Sequence, residues 1–376
     1  MVEIGNKPRV AIVGTVGLPA AYSGFETLAE HLVRYNEREN KPLDLTVYCS
    51  APQFEEWPET YHGATLRYVS LDANNASSLL YDAVSMASAI RHGVDTILLL
   101  GVSGAWALPL VRLFSRARVI TNIDGIEWRR EKWRGVAKWV LRFSEWLAVR
   151  SSHAVIADNA AIVDHVRASY GRNSHLIAYG GDHALQTPGE PFFGLPPRYA
   201  LALCRVEPEN NVDLILEAFA DNPPLPLVFI GNWDRSAYGR ALKQRFASCD
   251  AITILDPIYD AAPLRTIREG ASIYIHGHSA GGTNPSLVEM MHFGKPILAF
   301  DCVFNRHSTE NEALFFKNSN DLRQVTAATI EHGCTQCGER MAAIARERYT
   351  WESVGMAYLQ LLRPAQWPHR SLPSDL

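Results

Sequence analysis

The sequence lacks a long apolar segment and a surplus of basic residues. No stretch of its 376 residues approaches about 18 consecutive uncharged apolar residues, so we expect no membrane-spanning helix. Lysine and arginine number 36 against 40 aspartates and glutamates, which gives a formal net charge of -4. Proteins that bind nucleic acids are usually basic. We therefore expect no nucleic-acid partner.

Cysteine is also scarce, and the first residues do not follow the pattern of a secretory leader. Most of the six cysteines lie within apolar runs, as is typical of reduced, buried thiols. Cys334 and Cys337 form a lone CxxC, and a metal or redox site would need further ligands or a thioredoxin-like context. We interpret this pair as incidental. Residues 1–8 lack the basic, apolar and small-residue order of a signal peptide, so we expect a cytoplasmic protein.

The sequence does contain a strand–helix alternation that occurs twice. Continuous apolar runs bounded by glycine, aspartate or asparagine are typical of strands buried on both faces. The runs are 9–15, 43–49, 65–71, 96–101, 118–123, 154–157 and 175–179 in the first half, and 200–204, 227–231, 252–255, 273–276 and 297–300 in the second. Such alternation predicts an α/β fold made of two Rossmann-like halves with parallel sheets.

Residues 187–197 separate the two halves. They hold four prolines and two glycines, a composition that disrupts both helices and strands. We predict an N-terminal domain at 1–186, this linker, a C-terminal domain at 198–348, and a last segment at 349–376 whose helix returns to the N-terminal domain. Parallel sheets bind ligands beyond the carboxyl ends of their strands, so we expect a ligand cleft between the halves.

The first strand-to-helix loop, residues 14–26, is rich in glycine. A dinucleotide-binding loop has the shorter GxGxxG spacing and an acidic residue at the end of the second strand. The second strand here ends Tyr48-Cys49-Ser50, so nicotinamide binding is not expected. Two interpretations stay open for the loop: it lies under a sugar ring, or it is a plain glycine-rich connection.

Residues 276–289, HGHSAGGTNPSLVE, carry the strongest signal in the sequence. A predicted strand runs into a turn of small residues, and a helix is predicted to begin near Ser286. Glycines let backbone N–H groups approach a phosphate, and a helix N-terminus adds unpaired donors. Asn284 or Ser286 suits the cap of that helix. The alternative is a capped glycine turn without a ligand, with Glu289 compensating the helix dipole rather than contacting a ribose.

Two further loops follow apolar strands. Arg205 ends the first strand of the second half, where its guanidinium suits a pyrophosphate. The alternative is a surface ion pair with Glu207 or Glu209. Asp124 precedes Gly125 at the end of another strand, so we expect its carboxylate to reach the cleft, although Asp-Gly is also a common turn.

Residues 127–150 combine basic residues with tryptophan. They contain seven basic and three acidic residues, a balance of +4, together with four tryptophans. One helical stripe is apolar and consists of Val136, Trp139, Val140, Phe143 and Leu147. Such a helix suits an anionic membrane surface, and a helix packed on its own sheet is the alternative. We expect the apolar stripe to be core and the basic residues to be the membrane-facing part.

These motifs together resemble the family 4 retaining glycosyltransferases of the GT-B fold, and more closely the bacterial rhamnosyltransferase branch of that family. The resembling segments, in chain order, are 17–32, 122–133, 178–182, 205–219, 276–301 and 349–354. They extend over most of the chain.

The resemblance implies a nucleoside diphosphate sugar as donor and assigns roles to residues. The donor-binding residues would be Gly17, Arg205, Asn210, His276, Gly281, Gly282, Thr283, Asn284, Ser286, Leu287 and Glu289. The acceptor-binding residues would be Tyr22, Gly24, Phe25, Glu26, Asp124, Glu127 and Trp128. Asp124 and Arg205 are the expected catalytic residues. No metal ion or other cofactor is expected, because backbone dipoles and Arg205 would neutralise the leaving diphosphate.

The sequence departs from the family pattern at two positions. Gly281 replaces the first acid of the family's Glu-x7-Glu motif, and Asn210 replaces a lysine. We interpret both as features of the rhamnosyltransferase branch. The expected reaction is retaining transfer of a 6-deoxyhexose, L-rhamnose from dTDP-rhamnose, onto a growing lipid-linked glycan of lipopolysaccharide or capsule, at the inner face of the membrane. The alternatives are a UDP- or GDP-hexose donor and a catalytically silent sugar-nucleotide-binding protein of a glycan assembly complex.

Overall fold

The computed structural model describes residues 7–20, 24–74, 77–129 and 135–363. Its first sheet has eight strands: β1 (Arg9–Val13), β2 (Asp44–Ser50), β3 (Thr60–Tyr61), β4 (Ala64–Val69), β5 (Thr96–Leu100), β6 (Arg118–Asn122), β7 (Ala154–Ala157) and β8 (His175–Leu176). The helices along this part of the chain are α1 (Gly24–Arg38), α2 (Ser78–Arg91), α3 (Leu108–Phe114), α4 (Gly135–Ser151) and α5 (Ala160–Tyr170).

The strand order of the first sheet is β3-β4-β2-β1-β5-β6-β7-β8. The short β3 pairs with β4 in the antiparallel direction, whereas β1 is parallel to both β2 and β5. Every residue of β5 is buried, which explains its unbroken run of threonine, isoleucine and leucine. The central strands of this sheet are therefore the buried, parallel strands that the apolar runs predicted.

The second sheet has six strands and eight helices along its chain segment. The strands are β9 (Ala200–Leu203), β10 (Leu227–Ile230), β11 (Ile252–Leu255), β12 (Ile273–His276), β13 (Ile297–Phe300) and β14 (Leu314–Phe316). The helices are α6 (Val212–Phe219), α7 (Ala237–Arg245), α8 (Ala261–Gly270), α9 (Pro285–Met291), α10 (Val303–Ser308), α11 (Ser319–His332), α12 (Thr335–Arg348) and α13 (Trp351–Leu362).

The second sheet is parallel, with the strand order β11-β10-β9-β12-β13-β14. This is the strand order of a doubly wound nucleotide-binding sheet, in which the chain reverses direction between its first and fourth strands. Here those strands are β9 and β12. Ligands of such sheets bind at the carboxyl ends of the strands that flank this switch point, so the loops after β9 and β12 are where the fold places a ligand.

The chain consists of two compact units. The first consists of the described residues up to 122, residues 150–154 and residues from 355 onward, and the second consists of 123–149 and 155–354. Within the first unit, the last helix bonds to a strand end, because Asn122 Nδ2 donates to Tyr358 Oη at 2.8 Å. No helix in the described part of the chain has the length and apolar character needed to cross a bilayer.

Two sequence interpretations are wrong at the level of local structure. The apolar stripe of α4 is not core: Val136, Trp139 and Phe143 are exposed, because the helix turns its opposite side, with Glu145, inward. Cys334 and Cys337 are not incidental either, since they form a disulfide at the start of α12.

Candidate active site

The loops after β9 and β12 are tied together by hydrogen bonds. Asn211 Nδ2 donates to the carbonyl oxygen of Gly277 at 2.7 Å. The backbone N–H and the hydroxyl of Ser279 both donate to the carbonyl oxygen of Glu209, at 2.9 and 2.8 Å. A side chain at Gly277 would collide with the carbonyl oxygen of Asn210, so the two backbones touch there. The switch point therefore carries one joined surface built from both loops.

Arg205 lies in the first of these loops, with an exposed side chain. Its backbone is fixed, because its carbonyl oxygen accepts hydrogen bonds from Asn210 Nδ2 at 2.7 Å and from the Glu207 N–H at 2.9 Å. Within the described part of the chain its guanidinium forms no ion pair, so the pair with Glu207 or Glu209 considered above is not made. Asn210 is buried and holds this loop in place. Because the Arg205 guanidinium is exposed and forms no ion pair among the described residues, it is available to an anion.

A pocket of about 310 Å³ opens beside this joined surface. Small-molecule sites begin at roughly this size, about 300 Å³. Gly281 lines the pocket, and its charged lining residues are Arg129 and Glu209. The remaining lining residues are Ile126, Pro208, Asn211, Ser279, Ala280 and Phe304. Arg129 had been noted only as one of the basic residues of 127–150, and the structure assigns it to the wall of this pocket.

Gly281 and Gly282 differ in what surrounds them. A Cβ atom on Gly281 would meet no atom within 4 Å, but its φ of +127° is one that other residues rarely adopt. A Cβ atom on Gly282 would collide with the carboxylate of Asp158. Gly282 is thus required by packing, whereas Gly281 keeps the pocket wall open and lets a ligand approach the backbone.

The carboxyl end of β7 fixes the turn that follows Gly281. The Thr283 N–H donates to Asp158 Oδ2 at 3.1 Å, and the Thr283 hydroxyl donates to the Asp158 carbonyl oxygen at 2.5 Å. Burial raises the pKa of the Asp158 carboxyl well above its ordinary value, and the neighbouring charge of Asp124 adds to the shift. Sequence analysis missed Asp158, although a polar Asp-Asn pair directly after an apolar strand was the available signal.

Asn284 is the cap of α9. Its Oδ1 accepts hydrogen bonds from the backbone N–H and the hydroxyl of Ser286, at 3.1 and 2.8 Å. Pro285 follows at the first helical position, where no N–H is needed. The Ser286 hydroxyl also accepts a hydrogen bond from Tyr274 at 3.2 Å, and Leu287 is fully buried. These side chains stabilise the turn, and a contact of Ser286 or Leu287 with a donor stays a prediction.

Asp124 and Gly125 pack against the same turn. Asp124 has a φ of +59°, in the left-handed region. A Cβ atom on Gly125 would lie 2.9 Å from Gly281 Cα, so the two glycine backbones are in contact. Trp128 follows in a 3₁₀ turn of residues Glu127–Arg129, and its indole N–H donates to Glu145 Oε2 at 3.0 Å. The structure thus brings Asp124 beside the Gly281 turn, within the second unit.

Glu289 lies on α9, within an ion-paired cluster. Its carboxylate pairs with Arg268 and lies 3.3 Å from His183 Nε2. The Trp351 indole donates to His183 Nδ1 at 2.9 Å, so the other ring nitrogen, Nε2, is the one that faces Glu289. Burial raises the pKa of Glu289, but the charges and hydrogen bonds of Arg268 and His183 together outweigh burial, so the pKa lies below its ordinary value. Glu289 is therefore ionised. A ribose in the predicted contact would have to share this carboxylate with Arg268 and His183.

His276 is buried at the end of β12. Within the described residues neither of its ring nitrogens has a hydrogen-bond partner, and its ring stacks on that of His278 at 4.4 Å. Burial lowers the pKa of His276 to about 3, so the ring is neutral. In the described part of the chain, no three His, Cys, Asp or Glu side chains converge as metal ligands would. Metal independence itself stays a prediction.

The predicted residues of the first glycine-rich loop belong to the other unit. Gly17 packs on Cys49, and a side chain there would overlap the Cys49 side chain. Gly24 begins α1, Phe25 lies near Gly101, and Glu26 is buried. Tyr22 lies outside the described residues. The assignment of this loop to the acceptor or donor stays a prediction.

Comparisons with known proteins agree with this architecture. Residues 7–182 match a domain of unknown function (DUF1972), and residues 190–330 match the family described as Glycosyl transferases group 1. Residues 190–330 form a group 1 glycosyltransferase domain. This domain contains the loops after β9 and β12, Arg205 and the Gly281 turn. No curated protein matches the chain in sequence.

Solved structures share the fold of the whole chain. Sucrose-phosphate synthase from Thermosynechococcus elongatus has a TM-score of 0.77 at 14% identity, with 94% of this chain and 98% of that chain covered. Anabaena HepE in complex with UDP-glucose has a TM-score of 0.68 at 15% identity, with 94% and 99% covered. A glycosyltransferase from Rickettsia africae has a TM-score of 0.70 at 12% identity, with 95% and 98% covered. The chain that carries the group 1 glycosyltransferase domain thus has the GT-B fold, as predicted.

Proposed function

We propose that this protein transfers L-rhamnose from dTDP-rhamnose, with retention and without a metal ion, onto a growing lipid-linked glycan of the cell surface. The observation that carries the proposal is the Arg205 guanidinium, which is exposed, has no ion-pair partner among the described residues and belongs to the loop after β9, at the switch point where such sheets bind ligands. A fixed cationic fork at this place suits the diphosphate of a nucleotide sugar.

The proposed reaction needs stabilisation of the leaving diphosphate. The bond between the anomeric carbon and the phosphate oxygen breaks, and the acceptor oxygen bonds to the same face of that carbon. The acceptor proton passes to the leaving phosphate oxygen, so no enzymatic nucleophile is required. Arg205 and the backbone N–H groups of Gly281 and Gly282 stabilise the negative charge that develops on the diphosphate. Asp124, beside Gly281, orients a hydroxyl of the sugar or the acceptor.

Replacing Arg205 tests this role. We expect Arg205→Ala to lower kcat/KM by about 100- to 1,000-fold, since it removes a preorganised charge on the leaving group. The assay incubates the protein with dTDP-rhamnose and synthetic lipid-pyrophosphate glycans, with products measured by mass spectrometry. The matched control is Arg198→Ala, which removes an exposed arginine just before β9. Near wild-type turnover of the Arg205 variant would contradict the proposal.

A UDP-hexose donor is the second candidate, and one observation favours it. The structurally similar Anabaena HepE was solved with UDP-glucose. A thermal-shift series with dTDP, UDP and GDP sugars separates the two, because a ligand that binds only the folded state raises its stability. If UDP-glucose alone stabilised the protein, the donor would be a UDP-hexose and not dTDP-rhamnose. Binding without any transfer or donor hydrolysis would favour a silent sugar-nucleotide-binding protein, to which the glycine at position 281 also points.

A further inference from the structure

Helix α4 presents a continuous apolar surface to solvent. Val136 is 78% exposed and Trp139 is 65% exposed, and Val140, Phe143 and Trp146 are exposed beside them. Three rings of this surface are stacked, with centroids 5.4 Å apart for Trp139 and Phe143 and 5.5 Å apart for Phe143 and Trp146. We name these five side chains the α4 apolar face. Contiguous exposed apolar groups on a folded protein usually mark an interaction site.

The orientation of α4 is fixed by polar contacts on its other side. Glu145 is buried, and Oε1 of its carboxylate lies 2.7 Å from His165 Nε2 and accepts the Tyr170 hydroxyl at 2.5 Å. Oε2 of the same carboxylate accepts the indole N–H of Trp128 at 3.0 Å. Turning this carboxylate out to solvent would leave the donors of His165, Tyr170 and Trp128 without their acceptor, which is costly for buried groups. The fold therefore keeps the charged residue inside and the aromatic residues outside.

Basic side chains of α4 cluster around Trp128, toward the side of the helix that carries Glu145. Lys138 and Arg142 are exposed on the same helix. Together with Arg129, they place three cationic groups 5.3 to 5.9 Å from the centroid of the Trp128 ring. Residues 127–150 carry a formal charge of +4 in a chain of net charge -4, so the remainder carries -4 - 4 = -8. The positive charge of the molecule is thus concentrated in the segment that exposes the aromatic rings.

We propose that the α4 apolar face inserts into the surface of a bilayer that contains anionic phospholipids. Tryptophan rings are favourable at the boundary between headgroups and acyl chains, where one edge is apolar and the other is hydrated. Basic residues near an anionic surface add electrostatic attraction to this insertion. A second copy of the chain fits this surface less well, because a symmetric contact would bring the same basic residues of both copies together.

Arg129 belongs both to the basic cluster around Trp128 and to the wall of the pocket. Its guanidinium is near the Trp128 ring, and it lines the pocket at the switch point. This gives α4 a role in presenting a lipid-linked acceptor to the pocket, an extension that rests on the proposed function. Binding to a bilayer that contains no acceptor does not depend on that function. Failure of bilayer binding can therefore be distinguished from failure of the proposed function.

Vesicle binding of the full chain tests the proposal. The probes are vesicles of phosphatidylcholine with and without phosphatidylglycerol. We expect wild type to sediment with the anionic vesicles only. We expect Trp139→Ser with Phe143→Ser to lower the partition coefficient at least about tenfold, because two apolar groups no longer insert. Lys138→Glu with Arg142→Glu is expected to lower the partition coefficient by a similar factor. Added salt should reduce this difference from wild type, because salt screens the charges.

Matched controls replace exposed side chains of the same kinds elsewhere. They are Phe193→Ser with Tyr259→Ser for the aromatic pair, and Arg198→Glu with Arg235→Glu for the basic pair. Both should bind vesicles as wild type does, and unchanged thermal midpoints would show that all variants fold. Equal binding of the α4 variants and wild type would overturn the proposal. So would a wild type that ignores anionic vesicles, including one whose α4 face instead joins two copies of the chain in sedimentation analysis.

Discussion

The glycine-rich loops of the two sheets look alike in sequence but differ in what surrounds their glycines. In the first sheet, a side chain on Gly14 would collide with the carbonyl oxygen of Leu100, and one on Gly17 would overlap Cys49. In the second sheet, Gly281 has no atom within 4 Å of its Cβ position. In the first loop Gly14 and Gly17 thus allow close packing of the backbone, whereas Gly281 of the second loop leaves an open space at the wall of the pocket.

The largest expected effect comes from adding a methyl group to each loop. Gly14→Ala combines overpacking, about 1–3 kcal/mol, with an unfavourable positive φ, about 1–3 kcal/mol, so we expect a loss of about 2–6 kcal/mol in the free energy of unfolding. Gly281→Ala has only the φ cost of about 1–3 kcal/mol, but it should weaken stabilisation by nucleoside diphosphates. Urea denaturation and thermal shift measure the two effects.

The control for this comparison is Gly171→Ala. Gly171 ends α5 with a φ of +63° and open space around its Cβ position, so we expect a cost of about 1 kcal/mol and no effect on ligands. Equal destabilisation by Gly14→Ala and Gly281→Ala would remove the distinction between a packing loop and an open loop.

The sequence predicted several strands to the residue, but it did not predict the shortest strands or the contacts between distant residues. The bounds of β11, β12 and β13 were predicted to the residue, because unbroken apolar runs end at glycine or polar residues. The strands β3 and β14 were missed, since two or three residues are too short to show a period. The Gly281 turn was identified, but the contact of Asp158 with Thr283 joins residues 125 positions apart and depends on how the chain folds.

The surroundings of charged residues were equally hard to predict. Glu289 was recognised as a site residue, but its partners Arg268 and His183 lie on other elements, at no spacing that a pattern reveals. The α4 stripe was assigned to the core because apolar spacing usually marks a buried face. Glu145 decided otherwise: once His165, Tyr170 and Trp128 bond to its carboxylate, the polar side of the helix has to face inward.

A smaller effect tests the packing around Gly282. We expect Gly282→Ala to cost about 1–3 kcal/mol in wild type, because the methyl group meets the Asp158 carboxyl. In an Asp158→Ala background the same change should cost less, since the colliding atoms are gone, and the double-mutant cycle gives the coupling. Asp158→Asn is the matched control, because it keeps a group of the same shape and should give no relief. A cost of Gly282→Ala that is the same in all three backgrounds would rule out this contact.

The two units also hold buried titratable groups of opposite sign. In the first unit, Asp82 accepts a hydrogen bond from Ser103, and burial raises its pKa to about 7. In the second, burial lowers the pKa of His276 to about 3. Between pH 4 and 6.5, roughly, both are neutral in the folded protein and charged when unfolded. Their effects on stability therefore oppose one another as the pH changes.

The smallest expected effects are the pH slopes that these two groups contribute. Below about pH 6.5 the unfolded His276 binds a proton that the folded ring does not, so stability falls by about 1.4 kcal/mol per pH unit as the pH drops toward 3. For Asp82 the unfolded carboxyl loses its proton first, so stability falls by a similar slope as the pH rises from about 4 to 7. His276→Gln and Asp82→Asn each remove one contribution, and urea denaturation across this range should show slopes that shift in opposite directions from wild type. If both variants shifted the slope in the same direction, the His276 ring or the Asp82 carboxyl would be charged in the folded protein. A charged His276 would place a cation at the end of β12, beside the loops that we propose bind the diphosphate.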